Sequence, residues 1–450
     1  MQKRKWIKTL SVCLMISMIT MSLSGCTGFF SKKGADIKTY EPTSEVSSEE
    51  EEEVVQIDWQ DALDMAADYL KNMTLEEKVG QLFVVNLEQI DKRKGSYYEF
   101  HKCTKTMQKN IAKYHVGGVI LFSRNIAKRK QTIRMTQGLV NADRTPLFIA
   151  VDEEGGRVAR IASNKDMQTT AFPSAEEIGR TKDDKYTYEM AKTIGTDIGE
   201  LGFNVDFAPV ADVKTSELNE EIGDRSYGSD PDKVSEYVSA FIQGLHKVNV
   251  ASAVKHFPGQ GSSEGDTHVG SVDIDSSIAR LRKTDFVPFE AGIAADADFV
   301  MVSHISVSKV TESSVPASMS DLMMKTILRD ELGFQKIIIT DAFDMASITE
   351  KYSSAEAAYN AFKAGADIIL MPQDFEEAYE EILTKVKEGT IEAERLDDSV
   401  LRILAVKIQR GLLDSEQLKS TPVPTSTPTP TPSPAPKHHK HKHSKHSKKQ

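Results

Sequence analysis

The sequence predicts an α/β fold in which eight parallel strands and their covering helices close into a (β/α)8 TIM barrel, forming one folded domain. Three observations carry the prediction. Short β-rich runs recur eight times between helical stretches. The runs are almost continuously apolar, as in "VILF", "LFIAV", "DFVMV" and "KIIIT", which suits parallel strands covered on both faces. Charged and titratable residues gather where the runs end, the pattern of a barrel whose carboxyl-terminal face carries chemistry.

The chain opens with Lys3, Arg4, Lys5 and Lys8, followed by an apolar run from Leu10 to Leu23 and then Ser24, Gly25 and Cys26. The run is short for a bilayer and ends at small residues, so positions 1–25 are expected to be a secretory signal, with an uncleaved anchor helix as the alternative. Leu23-Ser24-Gly25-Cys26 resembles the bacterial lipoprotein cleavage box. That resemblance implies a lipidated Cys26 and a protein held on the extracytoplasmic face of the cell membrane. Positions 26–55 are poor in large apolar residues and include the acidic run Glu49 to Glu53, so they are expected to be a disordered tether. Cys13 falls in the signal and Cys26 at its end, which leaves Cys103 without an intramolecular partner and gives no disulfide framework.

The barrel is expected over 56–418. Its strand signals are Gly80–Asn86, Gly117–Ser123, Pro146–Asp152, Phe203–Val213, Ala251–His256, Ala297–His304, Lys336–Asp341 and Ala366–Met371. Between them lie helical patterns such as "SAEAAYNAFKAG", apolar every three or four residues and closed by Gly365. Alternating strands and helices also fit a doubly wound sheet; eight units favour the barrel and leave a distorted closure open.

After the barrel, Thr421 to Pro436 holds seven of the sixteen prolines, so 419–436 is expected to be a semi-rigid spacer. Positions 437–450 carry six lysines and five histidines, an electrostatic hook for a polyanion. The formal net charge of -11 and an exported location speak against nucleic acid and leave anionic wall polymer or lipid head groups as partners.

Asp341 directly follows a strand in "IIITDAFDM", where a carboxylate can be aimed as a nucleophile; capping the next helix is the structural alternative. "DEEGGRVAR" puts Asp152, Glu153 and Glu154 beside Arg157 and Arg160 on an incipient helix, a set that could hold sugar hydroxyls or form a solvated salt-bridged loop. "KHFPGQGSSEGDTH" ends a strand with Lys255 and His256 and continues through glycines to Asp266 and His268. Two residues apart in an extended loop, these project the same way, so the carboxylate could orient an imidazole that exchanges protons. Within 56–418 no His-x-His or His-Glu-x-x-His spacing supports a metal site.

Together with "GFNVDFAPVADV" and "EIGDRSYGSDP", these segments resemble glycoside hydrolase family 3, in its β-N-acetylglucosaminidase branch of the NagZ type. The resemblance runs from about Thr74 to Gly411. It implies that Asp341 is the nucleophile of a retaining mechanism and that His268, oriented by Asp266, is the acid/base. It further implies that Asp152, Arg160, Arg225, Lys255 and His256 hold an N-acetylglucosamine unit, with no cofactor or metal. Two residues depart from the branch: Gln260 stands where His is common and Thr267 where Ser is usual. Neither is among the assigned catalytic groups.

The expected function is therefore an exported exo-β-N-acetylglucosaminidase acting on peptidoglycan fragments. Alternatives on the same fold are a β-glucosidase or β-xylosidase, a phosphorylase, and a lipoprotein that binds wall fragments without catalysis. For the tail, deletion of Lys437 to Gln450 is expected to lower retention of the protein on purified anionic wall polymer at low salt, measured by pull-down.

Overall fold

A computed structural model describes residues 57–413 of the protein. The signal at 1–25, Cys26, the tether, the spacer and the basic tail lie outside the described residues.

Eight parallel strands form the barrel: β1 (Phe83–Val85), β2 (Gly118–Ile120), β3 (Phe148–Val151), β4 (Val205–Asp206), β5 (Ala251–Phe257), β6 (Phe299–Val302), β7 (Ile337–Thr340) and β8 (Ile369–Leu370). Neighbouring strands pair in chain order, and β8 pairs with β1. The ring closes between β7 and β8 through a bridge from Ile339 to Ile368, backed by Thr340 N donating to Ile368 O at 3.0 Å. Each strand lies in its expected run, with β5 continuing one residue to Phe257.

Every strand residue is buried, because side chains on one face fill the barrel and those on the other meet the helices. Phe148 of β3 and Phe299 of β6 meet edge-on across 5.2 Å. Phe83 of β1 and Tyr114 form an aromatic cluster with Phe375 and Tyr379 of the helix Phe375–Lys387. The expected helix around "SAEAAYNAFKAG" is Ser354–Ala364, started by a Ser353/Glu356 capping box and ended by Gly365 at φ 126°.

One local expectation is corrected. "DEEGGRVAR" does not begin a helix; Glu153–Gly155 pairs antiparallel with Val158–Ala159. Gly155 and Gly156, at φ 89° and 57°, turn the chain left-handed and make a hairpin over the barrel mouth. The long fourth signal also shrinks to two residues of strand. Pro209 has no N–H for a ladder, and only Val210 makes an isolated bridge, to Lys255.

The amino-terminal end of the barrel is held by buried charges. Asp298, just before β6, accepts hydrogen bonds from Ser252 N and Arg410 Nε, both at 2.9 Å, and lies 2.9 Å from His246 Nε2. Asp367, before β8, is paired with Arg329 and Arg402 and accepts from Ser399 Oγ at 2.6 Å. Lys407 Nζ reaches Gln81 Oε1 at 2.7 Å and Gly117 O at 3.0 Å. These contacts seat the last described helix, Ala393–Gln409, and Arg410 after it across the strand starts. Asp298→Ala would leave Arg410 and Lys336 buried without their shared anion. It is expected to lower the unfolding free energy by about 3–5 kcal/mol, measured as a shift of the urea midpoint.

Candidate active site

At the other end of the strands lies a cavity of about 560 Å³. Asp152, Arg160, Arg225, Lys255, His256, Asp266, His268 and Asp341, the eight residues singled out in the sequence for catalysis or sugar binding, all line it. They come from the ends of β3, β5 and β7 and from the loops after β3, β4 and β5.

The floor is built on Lys255. Its side chain is 2% exposed, and Nζ lies 2.9 Å from Asp152 Oδ1 and 2.6 Å from Glu154 Oε1. Glu154 in turn takes both arms of Arg225, Nε to Oε2 at 2.9 Å and Nη2 to Oε1 at 2.8 Å. Burial pushes the Glu154 carboxyl up, but Arg225 and Lys255 outweigh it and hold it well below the usual carboxylate range. Burial would likewise strip the proton from Lys255; Asp152 and Glu154 reverse that and keep it an ammonium. Arg160 stands 3.6 Å from Asp152 Oδ2.

His256 is fixed by Asp212, which lies 2.7 Å from Nδ1 and also accepts from Gln260 N at 2.6 Å. With Nδ1 facing a carboxylate, Nε2 is turned toward Arg225, 3.3 Å away. Beneath this layer, burial raises Glu153 to about 7 and Asp206 well above its usual range. Glu153 does not face the sugar-sized space; its oxygens accept Ile161 N and Ala162 N, both at 2.8 Å, and close the hairpin.

Asp341 N donates to Val302 O at 2.8 Å, which ties the carboxylate to the end of β6. Its Oδ1 accepts from Ala342 N at 2.7 Å, and Oδ2 has no hydrogen-bond partner among the described residues. The helix cap alternative does not hold, since the helix Ala346–Thr349 is preceded by Met345 with no side-chain cap. His304 supports the same turn from below: Nε2 donates to Ala342 O at 2.9 Å, and Nδ1 meets Ser318 Oγ at 2.9 Å. Burial lowers its pKa, against the pull of Asp341, so the supporting ring is neutral. Asp344, three residues on, is raised to about 6 by burial and then by Asp341.

The stretch 266–269 is a turn, where an extended loop was expected: Val269 N donates to Asp266 O at 3.1 Å. The turn still brings the pair together. Asp266 Oδ1 accepts His268 N at 2.8 Å and lies 2.9 Å from His268 Nδ1. A second carboxylate, Glu221 Oε1 from the loop after β4, is 3.2 Å from the same nitrogen. Carboxylates only accept, so Nδ1 carries a proton and Nε2 is left without a partner among the described residues. Glu221, and then Asp266, raise His268 to about 9 against the effect of burial. Burial pushes Glu221 up, but His268 and Thr267 outweigh it and bring it down to about 2.

Gln260 and Thr267, the two departures in this loop, both bind Glu221. Gln260 Nε2 donates to Oε2 at 2.5 Å, Thr267 N to Oε2 at 3.1 Å and Thr267 Oγ1 to Oε1 at 2.7 Å. The loop glycines serve close approach as well as freedom. A Cβ at Gly261 would stand 2.1 Å from Val213 O, and one at Gly259 2.7 Å from Asp285 Cβ.

The eight named residues were legible from strand ends and motifs; Glu154, Asp212 and Glu221 were not assigned. Arg157, weighed beside Arg160, is committed elsewhere: it bonds the carbonyls of Glu220, Glu221 and Ile222 and lies 2.8 Å from Asp224. Linear spacing offered no metal motif. Among the described residues, Glu221, Asp266 and His268 nevertheless place one potential ligand atom each within 4.8 Å of one another.

A closed parallel barrel with carboxylates and a histidine at its carboxyl-terminal mouth defines a class of enzyme-like scaffold, and comparison supplies the family. Residues 74–406 match the glycosyl hydrolase family 3 N terminal domain, and the chain belongs to that family. It is 35% identical to β-hexosaminidase A of Pseudoalteromonas piscicida over 325 residues, 66% of this chain and 54% of that one. To a β-hexosaminidase of Xylella fastidiosa it is 35% identical over 263 residues, 57% of this chain and 76% of that one. It thus spans about half the length of the first relative. A family 3 β-N-acetylglucosaminidase from Paenibacillus sp. str. FPU-7 has the same fold, with TM-score 0.70 and 31% identity over 78% of this chain and 68% of that one.

The floor gives a stability prediction. A buried carboxylate held below its ordinary value near 4.5 contributes stability above that pH, and the contribution is lost as pH falls. Glu154→Gln is therefore expected to lower stability at pH 7 by about 3–5 kcal/mol and to flatten its decline below pH 4.5. Urea titrations at pH 7 and pH 4 measure both effects.

Proposed function

We propose that the protein is a retaining exo-β-N-acetylglucosaminidase that removes terminal N-acetylglucosamine from peptidoglycan fragments. The observation that carries the reading is the pairing across one cavity of a free carboxylate oxygen, Asp341 Oδ2, with an imidazole held through Nδ1 and free at Nε2. Two β-hexosaminidases among the relatives support the sugar class.

In the first step Asp341 attacks the anomeric carbon, His268 Nε2 gives its proton to the departing glycosidic oxygen, and the carbon–oxygen bond breaks. In the second, His268, now neutral, takes a proton from water as the water attacks the same carbon and frees Asp341. Two displacements retain the anomeric configuration. Lys255, Asp152, Arg160, Arg225 and His256 provide charged donors and acceptors for the sugar hydroxyls, ordered before substrate arrives. No metal or organic cofactor has a part in this scheme.

The place of action is part of the proposal. Lipidation at Cys26 would hold the enzyme on the outer face of the cell membrane, and the Lys/His tail would bring it to anionic wall polymer.

Hydrolysis of 4-nitrophenyl N-acetyl-β-glucosaminide tests the reading. Asp341→Asn is expected to lose about a thousandfold or more in kcat, and NMR of early product should show the β-anomer first. Equal rates for wild type and Asp341→Asn would sink the mechanism. Because Glu221 and Asp266 raise His268 to about 9, kcat/KM on N,N'-diacetylchitobiose, whose leaving group needs a proton, is expected to hold its plateau to that pH and fall above it. Runs in phosphate buffer, assayed for sugar 1-phosphate, separate hydrolysis from phosphorolysis.

A further inference from the structure

The Glu221 side chain is 6% exposed, while those of Asp266 and His268 are 47% and 63% exposed on the loop after β5. Its own segment is rigidly held. Arg157 bonds the carbonyls of 220, 221 and 222, and Asn219 joins the two loops by accepting Ile222 N at 2.9 Å and donating to Gln260 O at 2.7 Å. From this anchored position both Glu221 oxygens face the acid/base loop and receive bonds from Gln260, Thr267 and His268.

We infer that Glu221 is a positioning residue for the acid/base: a second carboxylate that shares the Nδ1 proton of His268 with Asp266 and latches the loop through Thr267 and Gln260. The inference rests on the proposed glycosidase reading and extends it. Asp266 travels with His268 on the same turn, so it orients the ring wherever the loop goes. Glu221 belongs to the barrel and orients the ring only when the loop is seated. Its charge also favours the imidazolium, which must persist until the leaving oxygen takes the Nε2 proton; the Nδ1 proton stays between the two carboxylates.

Gln260 and Thr267 then have a common reason. A neutral amide and a hydroxyl give Glu221 donors without adding a competing charge. Besides Asp266 and Glu221, the charged and titratable groups that line the cavity with the imidazole include Glu220 and Arg225 after β4, His256 of β5, Arg157 of the hairpin and Asp341 after β7, and His304 after β6 interacts with it electrostatically. Among them Glu221 and Asp266 bond His268 directly.

The test compares wild type, Glu221→Gln and Glu221→Asp on two substrates. The nitrophenyl glycoside has a leaving group that departs with little help from an acid, whereas N,N'-diacetylchitobiose requires protonation. Glu221→Gln should lower kcat/KM on the disaccharide at least tenfold more than on the aryl glycoside and move the alkaline limb down by one pH unit or more. Glu221→Asp keeps the charge but withdraws it, so the limb should stay while disaccharide kcat falls; it carries the test alone if the glutamine variant does not fold. A uniform loss on both substrates with an unmoved limb would mark a merely structural residue and overturn the inference. Wild-type rates in both variants would do the same. If wild type and Asp341→Asn are equally inert on both substrates, the glycosidase reading itself fails, and this inference falls with it.

Discussion

A lysine ammonium sealed inside the mouth of a barrel must be matched by anions, and the arrangement of the whole face follows from that requirement at Lys255. Asp152 and Glu154 satisfy it from the end of β3. Glu154 has charge left to hold Arg225, and Arg225 belongs to the loop that also carries Glu221. Glu221 then receives His268. One buried charge on β5 is thus linked through three loops to the imidazole of His268. The links at Lys255, Glu154 and Arg225 are charge-assisted bonds with little exposure to water, and the last one reaches the exposed ring of His268.

The two ends of the barrel use buried charge differently. At the amino-terminal end, Asp298 and Asp367 are surrounded by several bonded donors, and the ionic groups serve to seat the last helix. At the carboxyl-terminal end the bonding is incomplete: among the described residues Asp341 Oδ2 and His268 Nε2 have no hydrogen-bond partner. Those two atoms are the ones a displacement at a sugar carbon would need.

The eight strands and their order were legible because a parallel strand buried on both faces has to be apolar along its length, and that leaves a signal in a short window of sequence. The residues Asp152, Lys255, His256 and Asp341 were legible for the complementary reason, since charged groups are sparse within such runs and gather toward their ends. The hairpin after β3 was misread as a helix because carboxylates and arginines suit either form; the left-handed glycines decided it. The two-residue β4 was overextended because the apolar run continues past Pro209, where the ladder cannot.

The sequence by itself determined the fold class and pointed to the strand ends that line the cavity, because those depend on residue type and on patterns a few residues long. The tertiary structure decided the partners. Glu154 with Arg225, Asp212 with His256 and Glu221 with His268 are separated by 71, 44 and 47 positions. No periodicity joins such pairs, and only closure of the barrel brings their loops to one rim. Gln260 and Thr267 show the difference most plainly: in the sequence they were unexplained departures, and in the fold they are the donors that join their loop to Glu221.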